Sequence, residues 1–324
     1  MGGRRDFLRF AHAPNLRLVV LNATALFLLC VLVVLGACSK PNTNRSPAET
    51  FASRRITDEA GRDVVVPPEV ERFVSLAPNL TEIVYAIGAG DRLVGNTTFC
   101  DYPPAAKMVA KVGDTLHPSI ERIIALRPQL VLVSTASQLE AFTKQLDEHH
   151  IAVYVTDPHD LEGVFRSILK LGQLLNQQGR AEELVKQLRQ RTESIKSAVS
   201  SSKPVKVFYQ LSVEPLYTAG HDSFVTDLIG RAGGISVTAD VPGAWPKYSG
   251  ESALAARPEA IILPTGGSMG TANSDVTDAL KRSPAVMNGR VHRINDDYLS
   301  RPGPRSVTGL EEIARALHPE AFRK

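Results

Sequence analysis

The stretch Glu121-Arg-Ile-Ile-Ala-Leu-Arg127-Pro128-Gln-Leu-Val-Leu-Val133 recurs 130 residues later as Glu251-Ser-Ala-Leu-Ala-Ala-Arg257-Pro258-Glu-Ala-Ile-Ile-Leu263. A repeat of this length means that one supersecondary unit has been used twice, which narrows the possible folds sharply. Each copy reads as a short helix opening near the Glu, a stop at Arg-Pro where proline cannot continue a helix, and a buried aliphatic strand. A second pair agrees: Thr81-Glu82-Ile83-Val84 followed by Gly88 matches Thr226-Asp227-Leu228-Ile229 followed by Gly233.

Two similar α/β lobes are therefore expected. Strand candidates fall at 73–77, 93–97, 130–134 and 151–156 in the first lobe, and at 205–211, 260–263 and 291–294 in the second. Short strands alternating with helices predict parallel sheets with ligands at the carboxyl ends of strands, hence at the loops after Ala77, Thr97, Leu211 and Ile294. Between the lobes, residues 161–197 carry apolar positions at helical spacing, with Gly179 the expected break or kink. The expected architecture is an α/β fold of two Rossmann-like lobes joined by a long rigid helical connection, with the ligand cleft between lobes and little closure. The expected boundaries are a leader over 1–37, a tether over 38–54, an N-terminal lobe over 55–158, a helical backbone over 159–203 and a C-terminal lobe over 204–324.

The leader explains the net charge. The chain has a formal charge of +3, and its first 37 residues hold Arg4, Arg5, Arg9 and Arg17 against Asp6 alone. The body carries no net charge and so lacks the concentration of basic groups that nucleic acid requires. Residues 18–35 form an uncharged apolar run that ends in Leu35-Gly36-Ala37-Cys38. This tetrapeptide resembles the lipobox of bacterial lipoproteins, which implies cleavage before Cys38, acylation of Cys38 and an extracytoplasmic protein held at a membrane surface. Gly3-Arg4-Arg5-Asp6-Phe7-Leu8-Arg9 also resembles a twin-arginine export motif, so the export route stays open. Residues 39–54, rich in Pro, Asn and Ser, read as a flexible tether. With Cys30 in the leader and Cys38 lipidated, Cys100 is the one thiol of the body and no disulfide can form within it.

No catalytic constellation emerges, and no enzyme is expected. Gly266-Gly267-Ser268-Met269-Gly270 lacks the Gly-Lys-Ser/Thr ending of a phosphate loop and reads as a plain loop. The eight histidines show no zincin spacing, and His149-His150 is a solvated pair at a helix end. Cys100 reads as a buried, inert thiol. Aromatic residues placed in loops stand out instead: Phe99 and Tyr102 in the first lobe, and Trp245, the single tryptophan, between Pro242 and Pro246 in the second. Such residues suit either a core or the cover of a flat ligand.

Val74-Ser-Leu-Ala-Pro-Asn-Leu-Thr-Glu82, Asp101-Tyr-Pro-Pro104, Ile120-Glu-Arg-Ile123 with Ala125-Leu-Arg-Pro128, Pro215-Leu-Tyr-Thr-Ala-Gly220 and Ala232-Gly-Gly234 occur in that order. This series resembles the helical-backbone metal-chelate receptors of bacterial ABC importers (class III solute-binding proteins), and within them the cobalamin-binding members, from about Arg55 to Leu317. Haem and ferric-siderophore receptors share many of the same strings and remain the alternative.

The resemblance implies a corrinoid or other metal chelate held between the lobes, no resident cofactor or metal, action as a monomer, and delivery to a permease dimer with its ATPase subunits. It implies ligand contacts at Asn79, Phe99, Thr115, Tyr217, Trp245, Asp297, Tyr298, Leu299, Ser300 and Arg301. The chain departs from the pattern at Phe99, where the relative has Tyr, at Thr115 and Ser134, where it has Trp, and at Ala232, where it has Cys. A corrinoid has a wide apolar face and an amide rim, which suits aromatic contacts and few charges, whereas an anionic siderophore would favour several convergent arginines. His117 could ligate a metal, but His117-Pro118-Ser119 also reads simply as a helix start. Glu121 and Glu251 hold equivalent helix-start positions, where the macrodipole favours a carboxylate, and the resemblance implies that they dock onto permease arginines.

Overall fold

The computed structural model describes residues 53–134, 139–266 and 275–323. The leader, Cys38, the tether up to residue 52 and the glycine-rich loop at 267–270 lie outside the described residues. Arg54, expected at the end of the tether, instead opens strand β1 (Arg54–Thr57), which pairs antiparallel with β2 (Asp63–Val66). Asp58 shapes that turn by accepting from the backbone N–H of Ala60 and Arg62 and from the Arg62 guanidinium.

Both lobes contain a four-stranded, all-parallel sheet. In the first, β3 (Phe73–Ser75), β4 (Leu93–Asn96), β5 (Leu130–Ser134) and β6 (Ala152–Thr156) lie in the order β4-β3-β5-β6. In the second, β7 (Val205–Tyr209), β8 (Gly234–Ser236), β9 (Ala260–Thr265) and β10 (Val291–Asn295) lie in the order β8-β7-β9-β10, the same arrangement counted from the start of each lobe. Strand β8 has no apolar run to announce it, being Gly-Ile-Ser at a sheet edge with Ile235 exposed.

The helices repeat as well. In the first lobe α1 (Pro78–Ala86) follows β3, α2 (Ile120–Ala125) precedes β5, and α3 (Leu139–Asp147) precedes β6. Two backbone helices, α4 (Leu161–Leu174) and α5 (Gln178–Val199), follow. In the second lobe α6 (Phe224–Arg231) follows β7, α7 (Gly250–Ala255) precedes β9, α8 (Pro284–Met287) precedes β10, and α9 (Asp296–Leu299) and α10 (Ser306–Leu317) close the chain. Ser119 caps α2 by accepting from Arg122 N–H, and Ser249 caps α7 by accepting from Ser252 N–H. Gly88 and Gly233 leave α1 and α6 at φ 76° and 80°, a region that costs glycine nothing.

Strands buried on both faces explain the unbroken aliphatic runs. Leu130 and Leu132 of β5, like Ala260 and Ile262 of β9, face the main core, while Val131 and Ile261 face a smaller core on the outer side of each sheet. The main core is continuous from Val66 through Phe165, Ile168 and Leu171 of α4 to Val207, Leu228 and Leu310, so lobes and backbone share buried surface.

The break between α4 and α5 falls at Asn176, with φ 53°, and not at Gly179, which lies in the first turn of α5. Asparagine tolerates the left-handed region. Two first-lobe arginines cover the carboxyl end of α4, where cations suit the helix dipole: Arg54 donates to Gln173 O and Leu174 O, and Arg92 to Leu175 O. Among the described residues no helix is long and apolar enough to cross a membrane.

Candidate functional site

The segment leaving β10 of the second lobe reaches helix α1 and the connection leaving β4 in the first. Arg301 donates to Asp101 Oδ1 at 2.8 Å and to Glu82 Oε1 at 3.3 Å, and pairs with Asp297 Oδ1 at 2.8 Å. Arg305 meets both oxygens of Glu82, at 2.8 and 2.5 Å, and lies 3.7 Å from Asp297. Asn79 adds a hydrogen bond to Pro302 O at 3.3 Å. Glu82 and Asp101 belong to the first lobe, and Asp297, Arg301 and Arg305 to the second. Burial opposes the charge of Asp101, yet the hydrogen bond and charge of Arg301 outweigh it and hold that carboxyl below its usual range. Burial likewise opposes the charge of Arg305, and Glu82 reverses the sign. The Arg305 guanidinium lies 4.3 Å from the Tyr102 ring centre and 5.3 Å from that of Tyr298, close enough for cation–π attraction to both.

The long connection from β4 to α2 supplies the first-lobe wall. It is pinned to the sheet by Lys111, whose Nζ donates to Asn96 Oδ1, Cys100 O and Ala106 O. Cys100 is buried, its Sγ 3.2 Å from the hydroxyls of Thr81 and Thr97. Between these anchors Phe99 is half-buried and its carbonyl accepts from Arg301. Farther along, Asp114 accepts from the N–H groups of Leu116 and His117, forming the turn that holds Thr115 half-buried and His117 exposed.

In the second lobe, the connections leaving β7 and β8 run against each other. A Cβ on Gly220 would lie 2.2 Å from Gly243 O, so only glycine permits this approach, and Tyr217 forms a bridge with Lys247 beside it. Trp245 projects from the second connection, 41% exposed, its ring centre 6.1 Å from that of Tyr209 at the end of β7. Burial and the charge of Asp296 push the Tyr209 hydroxyl well up, so it stays protonated. Tyr102, Met108 and Leu116 in the first lobe, and Val213, Tyr217 and Trp245 in the second, are exposed large apolar side chains, and all leave the carboxyl ends of strands.

Several residues expected to touch ligand are placed otherwise. Leu299 is fully buried in the main core, so it offers no surface to a ligand. Asn79 is 4% exposed, with its amide spent across the lobe boundary, and Arg301 is 3% exposed, with its guanidinium committed to carboxylates. Asp297, Tyr298 and Ser300 are half-buried around that cluster, the Ser300 hydroxyl on Asp296. Phe99, Tyr217 and Trp245 keep accessible surface at the strand ends. Glu121 and Glu251 are exposed in the first turns of α2 and α7. Sequence reasoning missed Glu82 and Asp101. The one available signal was a carboxylate, Glu82, set among Leu80, Ile83 and Val84 as the only charged residue of its helix.

Two lobes with parallel sheets, joined by two helices and carrying exposed aromatic residues on the loops after their strands, have the architecture of a solute receptor. Residues 73–298 match the periplasmic binding protein family, and the chain belongs to that family of extracytoplasmic receptors, which are not enzymes. A Bacillus subtilis (strain 168) protein named as an uncharacterized ABC transporter substrate-binding lipoprotein is 31% identical over 309 residues, covering 92% of this chain and 97% of its own length. The crystal structure of the periplasmic vitamin B12 binding protein of Vibrio cholerae matches with a TM-score of 0.68 at 28% identity, over 79% of this chain and 99% of that one. The periplasmic heme-binding protein of Roseiflexus sp. RS-1, in apo form, matches with a TM-score of 0.69 at 26% identity, over 78% of this chain and 99% of that one. Among the described residues no group of His, Cys, Asp and Glu side chains is arranged to hold a metal ion.

Proposed function

We propose that the chain is a lipid-anchored receptor that captures a corrinoid, cobalamin, between its lobes and delivers it to an ABC import permease with its ATPase subunits. The observation that carries the reading is the chemistry of the loops that leave the strands of both lobes. Exposed aromatic and aliphatic side chains lie on loops leaving strands in both lobes, while both arginines of the crossing segment are engaged by protein carboxylates. Apolar walls with few available charges favour a wide, largely uncharged ligand with an amide rim.

Phe99, Tyr217 and Trp245 are the residues of the proposed contact surface, with Thr115 beside them. Cys38 is the proposed lipid attachment point, and its Ser variant is expected to accumulate as an unacylated precursor. Glu121 and Glu251, exposed in the first turns of α2 and α7, are the proposed docking carboxylates, one on each lobe.

The comparable likeness to the heme-binding receptor supports one other reading, a haem receptor. Mixing the purified protein with cyanocobalamin, haemin and a ferric catecholate, then measuring colour retained after desalting, separates the readings. Retention of the corrinoid alone is expected, and retention of only haemin or the catecholate overturns the cobalamin assignment.

A further inference from the structure

The charged cluster between the lobes bears on which ligands the cleft refuses. Its five members, Glu82, Asp101, Asp297, Arg301 and Arg305, set three carboxylates around two guanidinium groups, with the Lys111 ammonium acting on Asp101 from the first lobe. Four of the five side chains are less than one-fifth exposed; Asp101, at 33%, is the most accessible member. Asp101 also lies on the connection that carries Phe99 and Tyr102, the first-lobe aromatic wall.

We propose that Asp101, backed by Glu82, is a specificity-determining residue that commits the second-lobe guanidinium groups to the protein and so excludes chelates bearing carboxylates or other anionic groups. The inference rests on reading the space between the lobes as the ligand site. An anionic group approaching Arg301 must displace a carboxylate that is already in contact at 2.8 Å. Burial of Arg301 raises the cost of that displacement, because charges in a poorly hydrated site are weakly screened. A neutral amide rim meets no such opposition. It can donate N–H groups to Asp101, the most exposed carboxylate of the cluster. Asp101 thus turns a segment that carries two arginines, which by residue type alone would suit anionic ligands, into one selective for neutral ones.

The test compares Asp101→Asn with the unaltered protein in titrations against haemin, which bears two carboxylates, against haemin dimethyl ester, in which they are masked, and against cyanocobalamin. Asp101→Asn is expected to shift the haemin-to-cobalamin affinity ratio at least tenfold toward haemin, with the gain lost on the ester and reduced at high salt. Glu82→Gln should shift the ratio in the same direction. It leaves two guanidinium groups short of a buried partner and can fail to fold, so the decision rests on Asp101→Asn, whose side chain is partly solvated. An unchanged ratio overturns the proposal. So does an equal gain for haemin and its ester, which would mean a loosened cleft, and so does tight haemin binding by the unaltered protein. Failure of the corrinoid to bind the unaltered protein would instead count against the receptor reading above, since the haemin and ester comparison does not depend on it.

Discussion

Arg127 and Arg257, 130 residues apart, both take left-handed backbone conformations, with φ 47° and 51°, at the same step of the repeated helix–strand unit. Each donates its N–H to the carbonyl three residues back, Ile124 and Leu254, and each is followed by proline and a strand. The next residues match too: the Gln129 side chain accepts from Arg72 N–H, and that of Glu259 from Lys206 N–H. The two lobes thus share a strained corner as well as a pattern. A β-branched residue cannot occupy that corner cheaply, so Arg127→Val and Arg257→Val are each expected to lower stability by about 1–3 kcal/mol. Glycine at either position is expected to be tolerated. Urea unfolding of the four variants checks this, and a valine variant as stable as the parent would mean that the corner is not strained.

Periodicity and repetition made the fold legible before any coordinates. The aliphatic runs at 130–134 and 260–263 became β5 and β9 because both faces of each strand are buried, which leaves an unbroken apolar run in the sequence. Strand β8 escaped notice because three residues at a sheet edge, one of them glycine, carry no period. The helix break was misplaced for a related reason. Glycine is the usual breaker, but Gly179 sits comfortably in a first turn while Asn176 turns the chain. At the site, exposed aromatic residues could be picked out by residue type and loop context. The pairing of Arg301 with Glu82 and Asp101, across 219 and 200 residues, left no local trace.

Trp245 rests on Tyr209 at the carboxyl end of β7 while keeping 41% of its surface exposed. Its removal takes away contact area without opening a buried cavity. Trp245→Ala is therefore expected to weaken corrinoid binding by about 1–3 kcal/mol and to leave the melting temperature nearly unchanged. Isothermal titration with cyanocobalamin reads the first quantity and calorimetric melting the second. Undiminished affinity would put the ligand elsewhere.

Acid should loosen the lobes through Asp101. Its carboxyl is held below the usual range by Arg301 in the folded protein, so folding is favoured by its charge. That contribution is fully present above the unfolded value, about 3.9, and is lost as pH falls through the lower folded value. Urea midpoints measured between pH 6 and pH 2 are expected to fall more steeply for the parent than for Asp101→Asn, which cannot titrate there. Glu311 is also depressed, by Arg315 and Arg191, but it remains in both proteins and cancels in the comparison. Parallel curves would show that the Asp101–Arg301 contact contributes nothing to stability.

Glu121 and Glu251 offer the most direct test of delivery. Each lies in the first turn of a short helix with a serine cap, α2 and α7, where a carboxylate is favoured by the helix dipole alone. Stability could account for both, so the two roles must be separated by what each predicts. Glu121 is fully solvated, and its own backbone N–H and the Ser119 hydroxyl hold its carboxyl below the usual range, so it stays charged at any physiological pH. An exposed helix-start carboxylate contributes only about 0.3–1 kcal/mol, too little for its reversal to unfold the protein. Docking as proposed would instead pair one carboxylate per lobe with basic groups on a twofold-symmetric partner, and lost contacts of that kind slow association steeply. The double variant Glu121→Lys/Glu251→Lys is therefore expected to bind ligand with unchanged affinity and to melt within a few degrees of the parent, while transport and ligand-stimulated ATP hydrolysis by the reconstituted permease are abolished. Each single variant should give a partial loss, because each lobe supplies one of the two contacts. Transport at the parental rate by the double variant would confine both residues to helix capping.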